Sequence, residues 1–203
     1  MRFRELGIPD AYELTPVQHG DDRGVFLEWF VRDSFEKETG HSLGLAQANC
    51  SVSSRGVVRG IHYADVPPGQ AKYVACLAGA ALDVVVDLRT GSPTFGCWEA
   101  VRLDDVGRRV VYIAEGLGHA FVALSDRATM TYLCSEQYNP DREHGVHPLD
   151  PDIGIAWPEG VGALMSPRDA EANGLREAEA AGLLPEYDAC LELYEAKRTV
   201  SAG

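Results

Sequence analysis

Positive charge is scarce in this sequence: 18 Lys and Arg residues stand against 31 Asp and Glu, a formal net charge of −13 over 203 residues. Binding to nucleic acid or to an anionic membrane surface draws its free energy from basic patches. Neither partner is expected, and an anionic ligand would need a local basic pocket. Long apolar runs are also missing. No stretch approaches the roughly 18 apolar residues of a membrane span, and the N-terminal MRFRELGIPDAY has no signal-peptide core, so a cytoplasmic protein is expected. Metal-binding patterns are absent as well. Cys50, Cys76, Cys97, Cys134 and Cys190 are an odd set at irregular spacing, with no CxxC and no Cys/His cluster at zinc-like spacing. Several lie in apolar runs, where cysteine behaves as a small hydrophobe. The five read as reduced and structural, and no metal or other cofactor is expected.

What is present is a chain with 45% apolar and 24% charged residues, enough for one globular domain with a real core. From residue 11 to about 157 it is a succession of short β-type runs punctuated by Gly, Pro, Asp and Asn, with a helical pattern only around Asp33 to Thr39. The expected strands are RGVFLEWFV, LAQANCSVS, VVRGIHY, AKYVACL, LDVVVDL, RRVVYI and ATMTYLCSE. In LDVVVDL, Leu82, Val84, Val86 and Leu88 share one face and Asp83, Val85 and Asp87 the other. RTGSP and AEGLGH read as turns. Many short strands joined by turns predict an all-β sandwich or barrel, since closure hides strand edges.

After Pro158 the composition shifts to Ala, Glu and Leu, and SPRDAEANGLREAEAAGLL and PEYDACLELYEAKR read as two helices, with a frayed VSAG end. In the second, Tyr187, Leu191 and Tyr194 form one apolar stripe for packing on the barrel or on a partner subunit. The expected organisation is a β-domain over residues 1–160 with a helical appendage of the same domain over 161–203.

Few residues stand out chemically. Arg59, His62 and Lys72 lie in β-type runs where isolated positive charges are unusual. Period-two alternation puts Arg59 and His62 on opposite faces, so they line one cavity only if Gly60 marks a bulge or kink; otherwise they read as a surface Arg and a hydrogen-bonded core His. Tyr132 shares a face with Met130 and Cys134, and its plain reading is a core tyrosine. Gln47, Asn49 and Ser51 line one face of their strand, as a polar cavity or a solvated face would require. His119 follows a Gly-rich turn. Asp169 in SPRD sits at a helix start, where a carboxylate is also an ordinary N-cap.

Taken together, these residues resemble the dTDP-4-dehydrorhamnose 3,5-epimerase family of the cupin superfamily. The resemblance runs from about Thr15 to Leu175 and rests on DDRGVFLEWF at 21–30, QANCSVSSRGVVRGIHY at 47–63, GQAKYV at 69–74, DVVVDLRTGSPTFG at 83–96, GLGHAF at 116–121, the Tyr132 strand, and WP followed by SPRD at 166–169. It implies a cupin-type jelly-roll barrel and a dTDP-4-keto-6-deoxy sugar substrate. By the same resemblance His62 is the general base, Asp169 the carboxylate that orients it, Tyr132 the acid on the opposite sugar face, and Lys72 the cation at the enolate oxygen, with His119 near the sugar. Arg59 and Arg23 would neutralise the diphosphate, Gln47 and Asn49 contact sugar or nucleotide, and Phe26 and Glu28 contact the nucleotide across a homodimer interface. Tyr138 would stack on the base. One departure is Arg168, where family members often carry Lys.

These residue types suit the reaction. A hydrogen next to a ketone is a weak carbon acid, so its removal needs a positioned base and a cation at the developing oxyanion. Inversion needs a proton donor on the other face. Three rivals remain on the sequence. A metal-dependent cupin enzyme needs converging His and carboxylate ligands, commonly opening with HxH, whereas His62 is followed by Tyr63 and Ala64. A non-catalytic sugar-nucleotide binding protein would have lost one of these groups, and every position is filled. A sugar-nucleotide 3,4-ketoisomerase on the same fold is the closest rival, disfavoured by the RGIHY and GQAKYV context. The sequence leaves open whether C3, C5 or both are inverted, and C3 is favoured. Turnover is expected to survive exhaustive chelation; activity that disappears with metal and returns with a divalent ion would overturn the metal-independent reading.

Overall fold

The computed structural model describes residues 1–159 and 164–201. In chain order its elements are β1 (Arg2–Glu5), β2 (Ala11–Thr15), β3 (Gln18–Asp21), β4 (Gly24–Leu27), α1 (Arg32–Thr39), β5 (Gln47–Ser53), β6 (Val58–Ala64), β7 (Lys72–Ala78), β8 (Ala80–Asp87), β9 (Trp98–Asp104), β10 (Val110–Ile113), β11 (Leu117–Ala123), β12 (Ala128–Cys134), β13 (Glu143–Gly145), α2 (Pro167–Ala170), α3 (Leu175–Ala180) and α4 (Tyr187–Ser201). Two antiparallel sheets have the orders β1-β2-β10-β7-β12-β5 and β13-β6-β11-β8-β9, and β3 with β4 forms a separate ribbon. From β5 to β8, and again from β10 to β13, consecutive strands alternate between the two sheets. This is the jelly-roll arrangement, and the all-β expectation holds. Among the described residues no helix is long and apolar enough to cross a membrane.

Val85, Val101, Leu117 and Phe121 of one sheet join Val74, Val110 and Met130 of the other in a single core. The back of the five-stranded sheet, formed by Ile61, Tyr63, Val84, Val86, Leu88 and Ala120, is covered by Leu175, Ala178 and Leu184 of the C-terminal segment. Strand β8 is therefore covered on both faces, which is why its sequence is a valine run rather than a clean alternation.

The structure corrects several expectations. RGVFLEWFV is not one strand: pairing ends at Leu27, and Trp29 and Phe30 turn back onto Tyr73, with ring centroids 5.6 and 5.2 Å apart. Burying two large aromatic surfaces outweighs continued pairing on an exposed ribbon. GLGHAF is more than a turn, because β11 runs through it and all seven of its residues are buried. A Cβ at Gly118 would lie 2.6 Å from Ile61 and 2.7 Å from Leu88, so glycine here permits close strand packing. SPRDAEANGLREAEAAGLL splits into α2 and α3, with Gly174 as the N-cap of α3. Among the described side chains of α4, Cys190 and Tyr194 are buried and Tyr187 half-buried, while Leu191 is 41% exposed. The contact stripe steps by three from Tyr187 to Cys190 instead of by four. Helix α4 continues to Ser201, and the rest of the expected frayed end lies outside the described residues. All five cysteines are free, with Cys76, Cys134 and Cys190 buried.

The C-terminal helix, the N-terminal loop and the end of β8 meet at Arg89, whose side chain is fully buried. Its guanidinium donates to Asp87 through two bonds of 2.9 Å, to Asp10 at 2.8 Å and to the Pro9 carbonyl at 3.1 Å, and it stacks 4.9 Å from the Tyr187 ring centroid. Burial pushes the Asp10 carboxyl up, but hydrogen bonds from His41 and Arg89 outweigh it; Asp87 behaves likewise through Arg89, Ser92 and Thr94, and both carboxyls sit below their usual range. Their stabilisation is thus present above the ordinary carboxylate pKa and lost as pH falls through the lower folded values. Arg89→Met leaves buried carboxylates unpaired and should cost about 3–5 kcal/mol at pH 7 by urea unfolding. The deficit should shrink as the pH is lowered and the unpaired carboxylates take up protons; a pH-independent deficit would mean lost packing rather than lost pairing.

Candidate active site

Directly opposed residues of an antiparallel pair point to the same side. Across β5, β12 and β7, Gln47 pairs with Cys134 and Cys134 with Lys72, while Asn49 pairs with Tyr132 and Tyr132 with Val74. Gln47, Asn49, Lys72 and Tyr132 therefore share one face of the six-stranded sheet. The opposite face carries Tyr73, packed on Trp29, Phe30 and Phe35, so the polar set looks toward the five-stranded sheet. The amides are ordered: Gln47 Nε2 donates to Asn49 Oδ1 at 2.8 Å, and Asn49 Nδ2 lies 3.7 Å from Cys134 Sγ.

On the facing sheet, the bulge needed to reconcile Arg59 with His62 is present. His119 pairs with His62 and Phe121 with Arg59, so two steps on β11 match three on β6. Gly60 sits in the extra step with φ of 105°, and a Cβ there would lie 2.3 Å from the His119 carbonyl oxygen. Only glycine tolerates both conditions. The inserted residue turns Arg59 and His62 to one side of the strand.

His62 Nε2 lies 2.7 Å from Asp169 Oδ1. Asp169 is not the helix cap; Ser166 is, its Oγ accepting from the Asp169 backbone N–H at 3.1 Å. That leaves the buried Asp169 carboxylate free to face β6. Burial raises its pKa, but the His62 hydrogen bond and charge, together with bonds from Ser166 and the Gly60 N–H, more than offset this and hold the carboxyl below its usual range. An ionised carboxylate can only accept, so Nε2 carries the hydrogen and Nδ1 is left as the basic nitrogen.

A second pair lies alongside: His119 Nε2 is 2.8 Å from Asp83 Oδ2, both side chains are buried, and Asp83 Oδ1 has no partner among the described residues. Asp83 was legible only as one of two acidic residues, with Asp87, in a valine-rich strand, and that anomaly was its signal. Lys72 has no ion-pair partner among the described residues. Desolvation lowers its pKa, opposed by the charges of Glu143, Cys134 and Asp83. Two sheets thus converge a carboxylate-held imidazole, a second imidazole, a desolvated ammonium and a phenol, which suits proton transfer at an acidic carbon.

The remaining expected residues are placed unevenly. Arg59 is exposed, with Nε 3.1 Å from Ser53 Oγ. The Tyr138 backbone N–H donates to Gln47 Oε1 at 2.9 Å, and its hydroxyl accepts from Arg168 at 3.4 Å, so Tyr138 lies at the edge of the cluster. Arg23 is paired with Asp21, and Phe26 and Glu28 are exposed on or beside the ribbon. No hydrogen bond or ion pair among the described residues joins these three to the His62 cluster of the same chain. Nor does any group of three or more His, Cys, Asp or Glu among the described residues form a candidate metal site.

Residues 5–177 match the family model described as dTDP-4-dehydrorhamnose 3,5-epimerase. The chain is 56% identical over 198 residues, 98% of each chain, to a dTDP-4-dehydrorhamnose 3,5-epimerase of Mycolicibacterium smegmatis. Among solved structures it is similar to a 4-keto-6-deoxy sugar epimerase from the novobiocin biosynthetic gene cluster of Streptomyces spheroides, at 62% identity and a TM-score of 0.91, covering 94% of this chain and 95% of that one. It is also similar to a 3'-monoepimerase of Streptomyces bikiniensis in complex with dTDP-quinovose, at 53% identity and a TM-score of 0.93, covering 96% and 98%.

Because Ser166 and not Asp169 caps α2, Asp169→Asn should keep the fold, losing only the stabilisation of the charged pair with His62, while slowing solvent exchange of the substrate's acidic C–H. The loss should be smaller than the roughly 10²–10⁴-fold expected for His62→Ala. Exchange at the parental rate in Asp169→Asn would reduce the pair to a structural contact.

Proposed function

The chain belongs to the dTDP-4-dehydrorhamnose 3,5-epimerase family, and from that membership we propose that it inverts C3 of dTDP-4-keto-6-deoxyglucose in deoxysugar biosynthesis, with C5 as a possible second centre. The observation that carries this reading is the His62–Asp169 pair on one sheet, across the barrel interior from the face bearing Tyr132 and Lys72. His62 Nδ1 takes a proton from the carbon beside the ketone, and the C–H bonding pair moves toward the C4 carbonyl to form an enolate. The Lys72 ammonium stabilises that oxygen. The Tyr132 hydroxyl returns a proton to the opposite face of the same carbon, and the imidazolium and phenolate then reset through solvent. No metal or other cofactor enters this scheme.

Arg59 and Arg23 neutralise the diphosphate, since guanidinium geometry matches phosphate oxygens, and this is how a strongly acidic chain accommodates an anionic ligand. Gln47 and Asn49 contact the sugar or nucleotide, His119 lies near the sugar, and Tyr138 stacks on the base. The protein acts as a homodimer in which the exposed ribbon lends Arg23, Phe26 and Glu28 to the neighbour's site. Support for this is that Phe26 is 67% exposed and that, among the described residues, no hydrogen bond or ion pair joins these three to the cluster of their own chain. The kinship with a novobiocin-cluster epimerase supports a secondary-metabolite deoxysugar as the end product.

In D₂O, each centre that His62 deprotonates acquires label, and NMR of the product reads which one. Label and inversion at C3 alone identify a monoepimerase; movement of the ketone to C3 would identify a 3,4-ketoisomerase. Tyr132→Phe should keep exchange on the His62 face while inversion falls sharply, and inversion at the parental rate would return Tyr132 to a packed core residue. For the dimer, sedimentation should give twice the 22.0 kDa chain mass, and a fully active monomer at micromolar concentration contradicts it.

A further inference from the structure

The turn between β10 and β11 carries the chain from the six-stranded sheet to the five-stranded one, and at its centre Glu115 is buried. Three residues of α4, spaced i, i+4 and i+7 and so on one face of the helix, grip this turn. Cys190 Sγ lies 2.4 Å from where a Cβ on Gly116 would stand, the Tyr194 hydroxyl donates to the Glu115 carbonyl, and the Lys197 ammonium pairs with the Glu115 carboxylate. The carboxylate oxygen that meets Lys197 also accepts from Ser135 Oγ at 3.4 Å, and Ser135 Oγ in turn accepts from the Ala71 N–H at 2.8 Å. Gly69 passes so close that a Cβ on it would lie 2.4 Å from that of Glu115. Ala71 precedes Lys72 and β7, Ser135 follows the strand of Tyr132, and Glu115 leads into the strand of His119. One ion pair thus sits where three site-bearing strands start or end.

We infer that Glu115 is a positioning residue for the proton-transfer site, held by Lys197 so that the C-terminal helix sets where Lys72, Tyr132 and His119 stand relative to one another. The inference rests on the roles given to those three residues above. A carboxylate this deeply buried needs a partner for its charge, and Lys197 supplies one from 82 residues along the chain. With its charge met, Glu115 takes the single proton of the Ser135 hydroxyl, which leaves the hydroxyl oxygen to face the Ala71 N–H. Without Lys197 the buried charge would pull toward water and carry the two strand ends with it. A neutral Gln at position 115 needs no cation and still offers Ser135 an acceptor oxygen. The damage done by removing Lys197 should therefore be undone by also removing the charge it answers, which loss of helix packing would not allow.

The test reads the strand ends and the chemistry separately in the full-length protein, well below its unfolding temperature. Hydrogen–deuterium exchange, followed by mass spectrometry of the peptide spanning Ala71, reports the first. The second is read from kcat and KM for inversion of dTDP-4-keto-6-deoxyglucose. In Lys197→Met the Ala71 peptide should exchange faster and kcat should fall roughly tenfold to a hundredfold with KM little changed, the scale of a misplacement of about 1 Å. Lys197→Arg and the double variant Glu115→Gln/Lys197→Met should both return toward the parent. Parental exchange of the Ala71 peptide in Lys197→Met overturns the inference, and so does faster exchange beside an unchanged kcat. A deficit that persists in the double variant also overturns it, because the loss would then belong to helix packing. If Lys197→Met does not fold, Ser135→Ala breaks the same path with the ion pair intact, and a parental kcat there overturns the inference as well. A parent that inverts no carbon of this sugar sinks the proposed reaction instead, while faster Ala71 exchange in Lys197→Met still upholds the tie.

Discussion

An ionised carboxylate buried in a protein interior needs a donor, and the site is organised around that requirement at Asp169. The nearest donor is His62, 107 residues earlier in the chain. Meeting it fixes the imidazole tautomer, leaves Nδ1 without a hydrogen, and anchors α2 against β6. The same requirement recurs at Asp83 with His119 and at Asp87 and Asp10 with Arg89. An acidic chain thus buries carboxylates on both sides of its five-stranded sheet, each with a nitrogen donor close by.

The barrel supplies what a single sheet cannot. Inversion needs a base and an acid on opposite faces of one ring, and two facing sheets provide two walls. The jelly-roll path, with consecutive strands alternating between sheets, brings segments distant in sequence into those walls: β5, β7 and β12 on one side, β6, β11 and β8 on the other. Lys72 lies in the same water-poor interior, where electrostatic interactions are stronger than in water. Desolvation there works against its charge.

Two backbone devices make this geometry possible. The bulge at Gly60 turns Arg59 to the side of His62, and Gly118 lets β11 press against Ile61 and Leu88 so that His119 reaches Asp83. A Cβ at either position would collide with the neighbouring strand or side chains. Both glycines therefore act on the site through strand spacing.

The all-β class, the face shared by Gln47 and Asn49, and the face shared by Met130, Tyr132 and Cys134 follow from period-two alternation, which is local and survives in the sequence. Family membership was legible because many short motifs recur in a fixed order. Other features depended on contacts between distant segments. Alternation alone sets Arg59 and His62 apart, and only pairing with β11 makes Gly60 a bulge. Asp169 and a helix cap look alike in SPRD, and only the placement of Ser166 separates them. RGVFLEWFV reads as one strand until Tyr73 draws in Trp29 and Phe30. Local periodicity is encoded residue by residue, whereas which buried charge meets which donor is decided only when the sheets close on each other.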